Sequence, residues 1–232
     1  MPPVEIFIIS LPLLTVLALG VGSTVRIQRQ RHRAAKGARE FAARHSWRYE
    51  EESEGLTESF ELPVTANAQL NNLRSGNVIS GTHRDRAARS WEFTASSPGM
   101  RSSRRGGGMR DNAHSHRYHL AALEAVQELP PLTMTSRGGR ISRALAGVPS
   151  QATGEADFDR TWWATAQDQR KLRTLLDDGF RARLMDFHGE LHGLATRGQT
   201  LIVWRTSRQL PEDIEPMFEK AAEILRRLER RG

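Results

Sequence analysis

The chain has 232 residues, of which 34 are lysine or arginine and 27 are aspartate or glutamate, so its formal net charge is +7 with histidine neutral. It contains no cysteine, which excludes disulfide bonds, cysteine-ligated zinc, iron–sulfur clusters and thiol nucleophiles. The positive charge invites a nucleic-acid interpretation, but outside one N-terminal cluster the basic residues are interleaved with acidic ones, so no nucleic-acid partner is predicted.

Residues 4–25 form an apolar segment whose only formal charge is Glu5. As a helix it would be about 33 Å long, enough to cross a hydrocarbon core of about 30 Å. A cleaved signal peptide would need a basic segment before the apolar run, and no lysine or arginine precedes Val25. A buried soluble helix would be amphipathic, whereas apolar residues lie all round this one. Of these three alternatives the pattern favours a retained transmembrane helix.

A cluster of basic residues follows within residues 26–39, the juxtamembrane segment, and we call it the basic collar. Its members are Arg26, Arg29, Arg31, Arg33, Lys36 and Arg39. Because basic residues flanking a membrane helix stay on the cytoplasmic side, residues 1–3 are expected outside and the rest in the cytoplasm. The sequence therefore predicts a single-pass protein of the inner or plasma membrane. The collar would also attract anionic lipid headgroups, by about 1 kcal/mol per residue.

The remaining residues, 40–232, are long enough for one well-packed domain or two small ones, and they are predicted to lie in the cytoplasm. Residues 34–50 predict a short helix that leads into strand-like alternation, and the acidic residues 50–58 predict a solvated connection. Residues 77–97 predict a hairpin. Residues 97–115 are mostly Gly, Ser and Arg with hardly an apolar side chain, which predicts a disordered loop because too little surface is available for burial.

In the second half, residues 158–167 predict a strand rich in aromatic and β-branched side chains. Residues 168–186 predict one helix, or two short helices split at Gly179. Residues 189–207 predict a hairpin that turns at residues 197–199. The run LIVW within it is typical of a strand that is buried on both faces.

The last segment, residues 210–231, predicts an amphipathic helix. Pro211 suits a first helical position, and Glu212 and Asp213 favour the positive end of the helix dipole. One apolar stripe recurs at three- and four-residue spacing: Ile214, Met217, Phe218, Ala221, Leu225 and Leu228. Strands and helices are mixed without β-α alternation, so the fold class predicted after the transmembrane helix is α+β with a mainly antiparallel sheet.

Two groups of side chains are candidate metal ligands. His114 and His116 would face the same way on an extended segment, and Glu155 and Asp157 alternate on a segment that also has strand character. Such carboxylates could bind a divalent cation or act as an acid–base pair. Ordinary surface histidines and a solvated, charged strand edge are the alternatives that the pattern favours, so no cofactor is predicted.

Trp162 and Trp163 are adjacent on a predicted strand. Neighbouring side chains on a strand point to opposite faces, so one of the two indole rings is expected to face outward. An outward tryptophan is typical of an anchor in a protein–protein interface. The pair is therefore a candidate partner-binding site.

The order of segments resembles a domain-of-unknown-function group of uncharacterised single-pass membrane-anchored proteins from GC-rich Gram-positive bacteria. The apolar N-terminus, FAARHSWRYEEESEGL, VISGTHRDRAARSWEF and LIVWRTSRQLPEDIE before the final helix carry the resemblance. It implies the same membrane topology and a single α+β module, and it brings no catalytic residues.

Together these features predict a membrane-anchored, non-catalytic interaction or accessory protein whose cytoplasmic domain binds a partner protein. The alternative is a membrane-tethered, metal-dependent hydrolase that would use the histidine and carboxylate clusters. Metal content of the folded domain separates the two hypotheses.

Overall fold

The structure, a computed structural model, describes residues 28–59, 71–97, 114–137, 151–166 and 168–230. The helices in these ranges are α1 (28–44), α2 (Glu54–Ser59), α3 (Ala156–Thr161), α4 (Gln169–Leu175), α5 (Asp178–Asp186) and α6 (Pro211–Glu229). The strands are β1 (Arg48–Glu52), β2 (Asn71–His83), β3 (Arg86–Ser97), β4 (His114–Glu124), β5 (Leu132–Ser136), β6 (Trp162–Ala166), β7 (Gly193–Arg197) and β8 (Thr200–Arg205).

The predicted transmembrane segment, residues 4–25, lies outside the described residues. Among the helices that are described, none combines the length and the apolar character needed to cross a bilayer.

The eight strands form one sheet in the order β1-β2-β3-β4-β8-β7-β5-β6, and every neighbouring pair is antiparallel. The predicted α+β class with an antiparallel sheet is confirmed. Both predicted hairpins are present. The β2–β3 hairpin turns at Arg84 and Asp85, whose φ angles of 50° and 61° match the two-residue turn that suits the strand twist. The β7–β8 hairpin turns at Gly198, whose φ is +54°.

One face of the sheet carries the larger core, which we call the helix face. The apolar sides of α1, α4, α5 and α6 pack there against alternate residues of the strands. The whole stripe predicted for α6 is buried, which confirms that helix: Ile214, Met217, Phe218, Ala221, Leu225 and Leu228. Helix α1 approaches α6 so closely that a Cβ added at Gly37 would lie 1.9 Å from Cγ of Pro211.

The opposite face of the sheet is also apolar and buried. Its side chains include Trp91, Phe93, Tyr118, Leu120, Ile202 and Trp204, and Leu56 of α2 packs with them. Strand β8 alternates between the two cores, since Leu201 and Val203 belong to the helix face and Ile202 to the opposite one. The prediction that LIVW is buried on both faces is therefore confirmed.

Several boundaries differ from the sequence predictions. Residues 156–161 form α3 rather than strand, and the strand begins only at Trp162. The chain between 168 and 186 does form two helices, but Gly179 lies inside the second. The break precedes Asp177, which caps α5 by accepting a hydrogen bond from the backbone amide of Phe180 at 2.7 Å.

Further differences concern the segments predicted to be irregular. The acidic connection contains an edge strand, β1, and the short helix α2. The ends of the predicted disordered loop belong to β3 and β4, and residues 98–113 lie outside the described part of the chain. The boundary predicted at residue 40 falls within α1, because Ala34 and Ala38 of that helix are already buried against the domain.

Candidate functional site

A cleft of about 290 Å³ opens between the first described turns of α1 and strands β2, β3 and β4. Four arginines line it, each from a different part of the chain: Arg31 of α1, Arg74 of β2, Arg117 of β4 and Arg208 before α6. The lining also includes the buried carboxylate of Glu92 and the edge-strand residues Glu51 and Glu52. We call this feature the arginine-lined cleft.

A β-bulge shapes one wall of the cleft. The register of β2 against β3 shifts between Gly76 and Ile79, and Asn77 within the shift has a φ of 51°. The Tyr49 hydroxyl donates a hydrogen bond to Oδ1 of Asn77 at 3.2 Å, which holds the bulge against β1. Bulges re-aim the side chains beside them and are frequent next to functional sites. Here the bulge lies next to Arg74.

Glu92 is the most buried charged group of the cleft. One of its oxygens lies 3.6 Å from Nη1 of Arg208, and the other accepts a hydrogen bond from the backbone amide of Gln209 at 3.3 Å. Burial raises the pKa of Glu92, and the nearby charges of Arg117 and Arg31 oppose that rise without cancelling it. Burial likewise lowers the pKa of Arg117.

The charge of the cleft is positive overall. Four arginines line it against three glutamates, and one of those glutamates, Glu51, already pairs with Arg39 at 3.0 Å. Guanidinium groups form paired hydrogen bonds with carboxylates and phosphates. The arrangement is therefore suited to an anionic group supplied by a partner.

A buried polar row fixes one wall of the cleft. Nε2 of Gln209 donates to Oγ of Ser90 at 2.8 Å, and this Oγ lies 2.9 Å from Nε2 of His119. Burial, assisted by the charge of Arg205, lowers the pKa of His119 to about 3, so its imidazole is neutral near pH 7 and a poor general base. Ser90 and His119 are fully buried. The row positions the loop that carries Arg208 and Gln209.

The substitution Glu92→Gln tests the electrostatics of the cleft. Because the folded pKa of Glu92 is raised above 4.5, its stabilising contribution is complete below that value and is lost as pH rises through the folded pKa. We expect the urea midpoint of Glu92→Gln, relative to the unsubstituted chain, to rise between about pH 4 and about pH 7.

Glu223→Gln is the matched control with the opposite sign. The hydrogen bond from Arg183 lowers the pKa of Glu223, so this carboxylate stabilises the unsubstituted chain increasingly as pH rises. The urea midpoint of Glu223→Gln, relative to the unsubstituted chain, should therefore fall as pH rises. Relative midpoints that shift in the same direction for both variants would contradict the assignment.

The residues of the basic collar occupy different surroundings. Arg26 lies outside the described residues, Arg29 is exposed, and Arg31 lines the cleft. Three side chains form ion pairs within the chain: Arg33 with Glu212 at 2.8 Å, Lys36 with Glu40 at 3.7 Å and Arg39 with Glu51 at 3.0 Å. Exposed pairs of this kind contribute little to stability and exchange readily. Contact of the collar with lipid stays a prediction.

The expectation of an outward-facing tryptophan is wrong. Trp162 is 1% exposed and Trp163 is 7% exposed. Trp162 packs in the core of the helix face, and its ring meets His188 edge-on at 6.1 Å. Both indole rings are buried, so neither of them offers a free surface.

The four candidate metal ligands are not brought together. His116 is half-buried on β4, and only the backbone of His114 is described. Glu155 caps α3, where its side chain accepts a hydrogen bond from a backbone amide at 3.2 Å, and Asp157 forms an i,i+3 ion pair. Because Glu155 caps α3 and Asp157 lies in its first turn, the two carboxylates do not alternate along a strand and do not share a face. None of the four belongs to the one His/Asp/Glu group with metal-binding spacing among the described residues.

No family model matches the chain, and no curated protein sequence is similar to it. Among solved structures, the chain is similar to the crystal structure of the mycobacterial trehalose monomycolate transport factor A, TtfA, with a TM-score of 0.53 and 12% identity. The similarity covers 85% of this chain and 93% of that one. At this identity the likeness shows the fold alone.

Proposed function

We propose that the protein is a membrane-anchored, non-catalytic accessory protein associated with transport, whose cytoplasmic domain binds a partner protein. The observation that carries the proposal is the similarity to the fold of a transport factor over 85% of the chain. The apolar segment 4–25 and the basic collar support the anchoring and its orientation. The topology follows from these two segments and is part of the proposal.

The arginine-lined cleft is the surface we assign to the partner. Arg31 lies six residues after Val25, the end of the predicted transmembrane segment, so the cleft would lie close to the bilayer. An integral membrane protein presents its cytoplasmic segments at that level. The excess of guanidinium groups over carboxylates in the cleft favours an acidic segment of such a partner.

A photo-crosslinking amino acid at Thr94, which lines the cleft, tests this surface in intact cells. We expect a crosslink to one integral membrane protein from Thr94 and none from Val126, an exposed position on the β4–β5 connection. Arg74→Glu should lower the Thr94 crosslink at least about tenfold, because it places a like charge opposite the acidic segment. Arg173→Glu changes the charge equally on α4, away from the cleft, and should leave the crosslink unchanged.

Three results would contradict the proposal. Equal crosslinking from Thr94 and Val126 would show that the cleft is not the surface that binds the partner. A Thr94 crosslink that Arg74→Glu does not lower would show that the partner does not bind the cleft through an acidic segment. Digestion of most of the chain by protease added to intact cells would show that the domain lies outside the cell, which contradicts the proposed orientation.

A further inference from the structure

A second cluster lies on the helix face, where the end of β2 meets α6. It consists of His83, the last residue of β2, and of Glu215 and Glu219, which are one turn apart on α6. Nε2 of His83 lies 3.3 Å from Oε1 of Glu219, and Nδ1 lies 3.9 Å from Oε1 of Glu215. One ligand atom from each residue can be chosen so that all three lie within 4.8 Å of one another.

The imidazole of His83 is the unusual member of the cluster. It is 8% exposed and stacks on the ring of Phe218 at 5.4 Å, whereas both carboxylates reach solvent. Its Nε2 is buried and makes no hydrogen bond with any described residue, despite the nearby oxygen of Glu219. A buried polar atom without a hydrogen bond is destabilising, so native structures normally supply a partner.

The geometry between the nitrogen and the oxygen differs from that of a hydrogen bond. A hydrogen bond needs the acceptor close to the N–H axis. Two ligands of a tetrahedral ion instead lie off each other's lone-pair axes and, with bonds of about 2.0–2.2 Å, stand roughly 3.3–3.5 Å apart. The 3.3 Å separation between His83 and Glu219 matches the second case.

We propose that His83, Glu215 and Glu219 form a binding site for a divalent transition-metal ion of the zinc class, with water completing the coordination. A nitrogen ligand beside carboxylates favours zinc over magnesium and calcium, which prefer oxygen ligands alone. Arg84 pairs with Oε2 of Glu219, and this contact leaves Oε1 directed at His83. Such outer contacts orient the ligands of metal sites.

The ion would connect the β2–β3 hairpin with α6. His83 precedes the turn of that hairpin, and Glu215 and Glu219 lie in the first half of the helix. Binding to the folded chain alone stabilises it by mass action, so occupancy should raise the melting temperature. The inference concerns this cluster only, and it stands or fails independently of the arginine-lined cleft.

The test uses the full-length chain in detergent micelles, with Co²⁺ as a spectroscopic probe and Zn²⁺ in equilibrium dialysis. We expect one equivalent of Zn²⁺ and the visible absorption bands of Co²⁺ bound by nitrogen and oxygen ligands. The double variant Glu215→Gln/Glu219→Gln changes only half-exposed side chains, so it should fold. It should lose at least about tenfold in Zn²⁺ affinity and the Zn²⁺-dependent rise in melting temperature.

Glu212→Gln on the same helix is the matched control and should bind Zn²⁺ like the unsubstituted chain. His83→Phe keeps an aromatic ring against Phe218 and should abolish the Co²⁺ bands. Equal binding by the double variant, His83→Phe and the unsubstituted chain would overturn the proposal, because the ion would then be held elsewhere. Absence of any stoichiometric binding would overturn it as well.

Discussion

Phe218→Ala is expected to lower the free energy of unfolding by about 3–5 kcal/mol. The side chain is 0% exposed, and its ring meets Trp47 edge-on at 5.2 Å and His83 at 5.4 Å. Trp47 in turn contacts Phe41 of α1, with 5.5 Å between the ring centroids. The Phe218 ring therefore connects α6 with the β2–β3 hairpin and, through Trp47, with α1. Alanine would leave a cavity at the junction of three elements that cannot close without moving one of them. Urea or thermal unfolding of the full chain measures the effect.

Arg226→Ala on the exposed side of the same helix is the control, and it should change stability by no more than about 0.5 kcal/mol. A loss of stability in Phe218→Ala no larger than in this control would mean that α6 does not depend on the aromatic junction.

Gly193→Ala should destabilise the sheet by about 1–3 kcal/mol or more. An added Cβ would lie 2.1 Å from Cζ2 of Trp204 and 2.6 Å from the backbone oxygen of Met134. A side chain can move away, but this oxygen belongs to β5, which pairs directly with β7. The cost therefore arises from displacement of paired strands, and the unfolding midpoint should fall accordingly.

Gly55→Ala is the matched control. No atom lies within 4 Å of a Cβ placed there, and the residue is in helix α2. Because glycine costs roughly 0.5–1 kcal/mol relative to alanine in a helix, this variant should be as stable as the unsubstituted chain or more so. If Gly193→Ala and Gly55→Ala have the same unfolding midpoint, the close approach of Trp204 and Met134 to Gly193 does not limit the side chain at this position.

The parts of the fold that could be predicted from sequence are those with a local periodic signal. Helix α6 combines an apolar stripe with Pro211 at its start, and the hairpin at Gly198 places a turn residue between two apolar runs. These signals depend on residues a few positions apart, so they need no knowledge of the rest of the chain.

Short elements gave weaker signals. Helix α3 has six residues, too few to display a period of 3.6. The aromatic residues that follow it indicate a strand, and the predicted strand therefore included residues of the helix. The cap formed by Glu155 was the available signal, but alternate acidic residues also match a strand edge.

The arginine-lined cleft and the His83 cluster could not be predicted, because each depends on distant segments. Glu92 lies between Trp91 and Phe93, and strand alternation assigns it to a solvated face. It is buried because the loop with Arg208 and Gln209 covers it, more than a hundred residues later in the chain. His83 likewise meets its carboxylates on α6. No local pattern in the sequence indicates which loop or helix covers a given strand.

The contact between Gly37 and Pro211 has a mechanical consequence. Only two residues separate Val25, where the predicted membrane segment ends, from α1, which is described from residue 28 and packs directly on α6 at this contact. A displacement of α1 would therefore act directly on α6 and, through α6, on the sheet that this helix covers. Because Arg31 of α1 also lines the arginine-lined cleft, the same displacement would change the shape of the cleft.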